Sequence, residues 1–216
     1  MDDSTWQLYR SAGTLMVFPA SLSEPERQDI LDSLLLAQLV ANKQHDPYQA
    51  SSQWRRNWAH TMDLLHWTVT ASTGQEEPQE QPFTLASLLA HTLGALPGPT
   101  PATLLADLGT THVKALEAYC IRRHAESTQL KLSFGLARNA WLIHLASIAF
   151  ETAAPLDEHW LSHTHQDNGH RALTVTRTCT TLTLASDYAA ERSKVITSLG
   201  SRRSREIERI PLTTQS

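Results

Sequence analysis

The feature that most constrains this chain of 216 residues is a change of hydrophobic period near Thr128. Before it, apolar residues recur at helical intervals; after it, they alternate. In "QLKLSFGLA" the side chains of Leu130, Leu132, Phe134 and Leu136 fall on one face, as in a half-exposed strand. "AWLIHLASIAF" is then apolar on both faces, as a central strand would be, with Arg138-Asn139 as the turn between them.

Upstream of the switch, Ser23 and Glu26 have capping-box spacing ahead of "RQDILDSLLLAQLVANK". Ile30, Leu31, Leu34, Leu35 and Leu39 mark that helix, and Asp46-Pro47 ends it. A second helix starts near Ser51 with Trp54, Trp58, Met62 and Leu65 on one stripe, read as core packing. "HWTVTAST" then favours a short strand through its β-branched residues. "GQEEPQEQP", residues 74–82, is polar, acidic and twice interrupted by proline, and reads as a linker. Thr84 caps "LASLLAHTLGAL", and Pro101 suits the first turn of a further helical stretch, broken near Gly109.

Two more extended runs, "EHWLSHTHQ" and "RALTVTRTCTTLTLAS", flank Asp167-Asn168-Gly169. Asn-Gly between such runs is a strong hairpin signal. In the second run the apolar phase shifts from Leu173 and Val175 to Leu182 and Leu184, which reads as a β-bulge near residues 178–181. Ser186 or Asp187 caps a last helix that Gly200 ends or bends. The expectation is an α+β fold: a helical N-terminal half, an antiparallel four-stranded meander over residues 128–185, and a C-terminal helix. One domain then spans residues 23–216, preceded by a separate segment, residues 1–22.

The hairpin carries the densest chemistry in the chain, because "HTHQDNGH" holds His163, His165 and His170. With a two-residue Asn-Gly turn the three imidazoles share one face, and three is the minimum for a catalytic zinc site. The tip of a hairpin is too flexible for a tight metal site, however, and Asp167 is taken up by the turn instead of orienting a ligand. The segment therefore reads first as a histidine-rich polar tip, with the metal site as the alternative. Arg202, Arg203 and Arg205 in "SRRSREIER" form a cationic helix end, alternatively a patch for an acidic partner. Cys120 and Cys179 are expected as buried thiols. None of the motifs "GxSxG", "HExxH", "GxGxxG", "CxxC" or a Walker-A loop occurs.

The net charge of −4 and the lack of aromatic residues among the basic ones argue against nucleic acid as a partner. Eleven histidines would move that charge toward +7 if all were protonated, so an acid response between about pH 6.5 and 5 is expected. His163, His165 and His170 are expected to be exposed, and His144 to be the buried neutral histidine. No run is long enough to cross a membrane, and the acidic start is unlike a signal peptide. A cytoplasmic protein is expected, with signal-less export left open.

"ILDSLLLAQLVANK", the Trp54/Trp58 helix ending in "HWTV", "SFGLARNAWLIHLASIAF" and "ALTVTRTCTTLTL" together resemble a group of small uncharacterised bacterial α+β proteins. The resemblance spans roughly residues 23 to 200, implies the meander, and carries no catalytic residue. The expected function is that of a non-enzymatic interaction or accessory protein, virulence-associated in one version, acting through protein partners, with a homo-oligomer among them. No cofactor is expected. The alternatives are a metal-assisted hydrolase using His163, His165 and His170, and a lipid-associated protein acylated at Cys120 or Cys179.

Overall fold

Residues expected to precede the domain open its sheet. Strands β1 (Trp6–Ser11) and β2 (Thr14–Pro19) form a hairpin around Ala12-Gly13, where Ala12 adopts φ 49°. The computed structural model of the protein describes residues 6–96, 98–153, 156–166, 173–185 and 188–212.

Helix α1 (Glu24–Gln44) begins as its sequence requires, with the Ser23 N–H donating to the Glu26 carboxylate at 2.7 Å. Helix α2 (Ser51–Leu64) follows, then strand β3 (Trp67–Gln79). Helices α3 (Leu85–Leu93), α4 (Pro101–Ala106) and α5 (Thr110–Cys120) come next, with Thr84 and Thr100 capping the first two and Gly109 preceding the third. Strands β4 (Ile121–Arg123), β5 (Thr128–Asn139), β6 (Leu142–Thr152) and β7 (Leu173–Leu184) lead to helices α6 (Ala189–Leu199) and α7 (Arg202–Glu206) and strand β8 (Ile207–Ile210).

The strands form one mixed eight-stranded sheet in the order β3-β7-β6-β5-β2-β1-β8. Strand β4 pairs with the start of β5, and β2 runs parallel to its later half. This replaces the expected four-stranded antiparallel meander and helical N-terminal half. The meander fails at "EHWLSHTHQ", which turns instead of extending: the Asp157 carboxylate accepts the His159 N–H at 2.9 Å, and the His163 N–H donates to the His159 carbonyl. Trp160 and Leu161 are adjacent and both buried within this turn. The Asn168-Gly169 turn and His170 lie outside the described residues, as do Ser186 and Asp187.

The partner of β7 on its free side is β3, so residues 74–79 of the supposed linker are ladder-paired. Their acidic character is put to use there, because Glu77 and Gln75 both accept hydrogen bonds from the nearly buried Arg177. Charge and Pro78 on a long edge strand also discourage further pairing.

Both faces of the sheet are covered. Helices α3, α4 and α5 pack on Leu130, Leu132, Phe134, Ile148 and Val175. Helices α1, α2 and α6 pack on Met16, Ile143, Leu145, Leu182 and Trp67. The phase shift in β7 thus marks no bulge in that strand. Its pairing with β6 is continuous, and Leu173 and Val175 face one helical layer while Leu182 faces the other. The bulge lies across the ladder in β3, between Val69 and Ala71.

Two ion pairs fasten α1 to the C-terminal helices. Arg192 reaches Asp29 through Nε and Nη2 at 2.7 and 2.6 Å, and Arg203 holds Asp32 at 2.8 and 2.9 Å. Burial raises the carboxyl pKa of Asp32, while the hydrogen bond and charge of Arg203 pull it back. Replacing Arg203 by Met strands a carboxylate that is 1% exposed, a loss of about 3 kcal/mol at neutral pH. Without the guanidinium the folded pKa rises further above the unfolded one, so protonation favours the folded state. The deficit of Arg203→Met against the parent therefore shrinks as pH falls from about 7 to about 4.5. Urea melts at both values check this, and an equal deficit at both would reject it.

Candidate ligand-binding cleft

The alternation of β5 that buries Leu130, Leu132 and Phe134 sends Gln129, Lys131 and Ser133 to the opposite face. Pairing sets them in rows across the sheet. Lys131 stands beside Ala149 of β6, then Thr176 of β7 and Glu76 of β3. The next row runs Ser133, Ser147, Thr178, Gly74, and Ser133 and Ser147 share a hydrogen bond at 2.8 Å. This half of the face is small and hydroxyl-rich, whereas the other half carries the apolar residues under α1.

Helix α2 stands over the polar half without filling it. The result is a cleft of about 970 Å³, with Lys131, Ser133 and the threonines of β7 on its floor and Trp54 and Trp58 in its wall. The corner between α1 and α2 is pinned, since the Asp46 carboxylate accepts the N–H groups of Tyr48 and Gln49 and pairs with Arg122 of β4. Trp54 is held in turn by its indole N–H, which donates to the Asn42 side chain at 2.6 Å.

Lys131 is the unusual member. Its Nζ is buried and has no hydrogen-bond partner among the described residues, and it lies 3.3 Å from the centroid of the Trp54 ring. The only carboxylate in its row, Glu76, is three strands away, roughly 14 Å. Asp46 is already committed to Arg122. Burial, reinforced by the positive charge of Arg55, pushes the Lys131 amine down to about 7. At neutral pH the amine is thus divided between a cation facing an aromatic ring and a free base with an available lone pair.

The residues singled out in the sequence lie elsewhere. His163 is exposed, but His165 is 4% exposed, against expectation. The His165 ring packs between Phe83 and Phe150 with Nε2 3.3 Å from the Trp160 carbonyl oxygen, and its backbone bridges to Phe83. The His163 and His165 rings are 5.3 Å apart, and His170 is outside the described residues. Among the described residues no three His, Cys, Asp or Glu groups are placed to hold a metal. Arg203 is spent on Asp32, while Arg202 and Arg205 are exposed. Cys120 is fully buried and its Sγ faces the Gly13 carbonyl, whereas Cys179 is half-buried. Among the described residues no helix is long and apolar enough to cross a membrane.

Sequence reasoning missed Lys131, Trp54 as its cover, and the whole cleft. The available signal was "LTVTRTCTTLTL", where the phase shift of the leucines leaves Thr174, Thr176, Thr178 and Thr180 on the face that the helices do not fill.

The sequence matches no family model, and no curated protein is similar to it in sequence. Solved structures with a weak likeness to this chain include three. A delta-endotoxin is 13% identical at TM-score 0.47, covering 85% of this chain and 88% of that one. The activated Cyt2Ba monomer from Bacillus thuringiensis subsp. israelensis is 12% identical at 0.46, covering 80% and 98%. The Evf virulence factor is 9% identical at 0.43, covering 89% and 80%. These neighbours are bacterial toxins and a virulence factor.

Buried His165 predicts an acid response, together with His144, which is half-buried and not the fully buried histidine the sequence led one to expect. Burial lowers the pKa of His165, more than the Trp160 hydrogen bond raises it, and burial with the nearby Arg138 lowers that of His144. A depressed folded pKa means that the unfolded chain takes up protons first, so stability is full above about pH 6.5 and is lost as pH falls below it. Thermal melts at about pH 7.5 and 5.5 should show a lower Tm in acid, with a smaller drop in His165→Gln. An unchanged Tm, or the same drop in the variant, would discard the mechanism.

Proposed function

We propose that the protein acts by binding, and that the cleft beneath α2 takes a small organic anion with Lys131 as its charge partner. The observation that carries this is the Lys131 Nζ, buried on the floor of a cleft of about 970 Å³ without a hydrogen-bond partner. An unpaired buried ammonium is costly, and an anion in the cleft removes that cost while a hydrocarbon ligand does not. The volume suits one small molecule, and the mixture of a few polar groups with aromatic wall is that of a ligand site. Trp54 and Trp58 offer flat apolar area, and the Ser133, Ser147, Thr176 and Thr178 hydroxyls offer donors and acceptors, while Arg55 and Arg122 line the cleft together with the carboxylates of Asp46, Glu76 and Glu151. This is the non-enzymatic reading, with the ligand in the part first given to a protein partner.

Binding an anion holds the proton on Lys131, so affinity must fall as pH rises through the free amine's value of about 7. Anilinonaphthalene sulfonate, an aromatic anion, serves as probe. One molecule should bind per chain, and about thirtyfold more tightly at about pH 6 than at about pH 8.5. Lys131→Met should fold normally, since it replaces a buried amine by an isosteric apolar chain. It should lose about tenfold in affinity at the lower pH together with the pH dependence. Equal affinities in parent and variant at both values would refute the reading.

A further inference from the structure

We propose that Lys131 captures a polar aldehyde or ketone as an imine on the floor of the cleft. The reaction needs an amine whose lone pair is free, a cavity that admits the carbonyl compound, and an environment that accepts a cationic product. The Nζ makes no hydrogen bond, so no protein group competes for the lone pair. The cleft beside it holds about 970 Å³. The Trp54 ring, 3.3 Å away at its centroid, faces an iminium as it now faces the ammonium. That ring also covers the Nζ, so a ligand reaches the amine by displacing the indole and breaking its 2.6 Å hydrogen bond to Asn42.

In the step itself the nitrogen lone pair forms a bond to the carbonyl carbon and the π pair moves to oxygen. A proton passes from nitrogen to that oxygen, giving a carbinolamine. Loss of the hydroxyl with a proton from solvent leaves the C=N bond and one water, with no change of oxidation state. Desolvation beside a second cation is the arrangement that activates lysine nucleophiles elsewhere, and burial together with Arg55 supplies both here. The hydroxyls of Ser133 and Ser147, about 7 Å along the same face, favour a hydroxylated carbonyl compound over a hydrocarbon one.

This proposal rests on the cleft being a binding site, but it fails separately from the anion reading. The chain has four lysines, and Lys43, Lys114 and Lys194 are exposed. Accessibility alone therefore favours those three. The protein is treated with pyridoxal or with pyridoxal phosphate at about pH 7, reduced with borohydride, and its labelled peptides are measured by mass spectrometry. Lys131 should be labelled about tenfold faster than each exposed lysine, because about half of it is unprotonated against less than about one part in a thousand for an ordinary lysine. Its labelling rate should rise with a midpoint near pH 7. Absence of label at Lys131, or a rate no greater than at the exposed lysines, overturns the proposal whatever the sulfonate probe shows. Faster labelling of Lys131 by both aldehydes supports imine capture, and the sulfonate titration of parent and Lys131→Met decides the anion reading by itself.

Discussion

Helix α1 is buried on nearly every side, and the rest of the structure is arranged around that constraint. Ile30, Leu31, Leu34 and Leu35 pack toward the sheet and its neighbours, but Asp29 and Asp32 are buried as well. Each carboxylate is matched by a guanidinium from the far end of the chain, Arg192 and Arg203. Helix α6 contributes only Val195 and Leu199 to the buried set, and α7 contributes no residue. The C-terminal helices are thus placed more by paired charge than by apolar area. Buried pairs of this kind add little net stability, since desolvation offsets attraction, but breaking one leaves an isolated charge. They specify where α6 and α7 must sit.

The same helix decides where a cleft can form. It occupies the half of the sheet face that carries Met16, Ala137, Ile143, Leu145 and Leu182. Helix α2, packed beside α1, buries Met62 near its C-terminus while the residues around its first turns stay at the surface. Below those turns the sheet presents serine, threonine and alanine, too small to meet the helix. An apolar void of that size would be costly, but a polar cleft open to water is not. The site is therefore what remains when two helices cover a four-strand face on which only one half is apolar.

Much of the local structure was legible. Ser23 with Glu26, Thr84 and Pro101 marked helix starts, because capping is a chemistry of near neighbours, and Gly109 marked the break between α4 and α5. The two strands after Thr128 were legible through alternation. What escaped were pairings between distant segments. "GQEEPQEQP" was polar because an edge strand is exposed on both faces, and "WQLYRSAGTLMVFP" was a hairpin whose neighbours in the sheet come from residues 133–136 and 207–210. The histidine segment misled for a related reason. Alternating histidines imitate a strand, yet Asp157 nucleates a turn that the pattern of polarity does not register. His165 then enters the core because Phe83 pairs with its backbone and Phe150 meets its ring.

The candidate site has the same character, since none of its parts is unusual alone. In "LKLSF" a lysine alternates with leucines, and on an open sheet it would be an ordinary solvated cation with nothing to report. A tryptophan on the stripe of α2 reads as core. The chemistry arises only where Trp54 stands over Lys131, and that meeting depends on the corner between α1 and α2. Asp46 builds the corner by accepting two backbone N–H groups, and it ties the corner to the sheet through Arg122, whose ladder partner Gln129 lies on the same face of β5 as Lys131. In doing so it also consumes a carboxylate that could have paired with the amine. One aspartate thus both brings the aromatic cover to the lysine and leaves the lysine without an acidic partner. The unpaired state of Lys131 is therefore a product of the fold's own connections, and that state is what makes the cleft chemically distinct from the solvated remainder of the sheet.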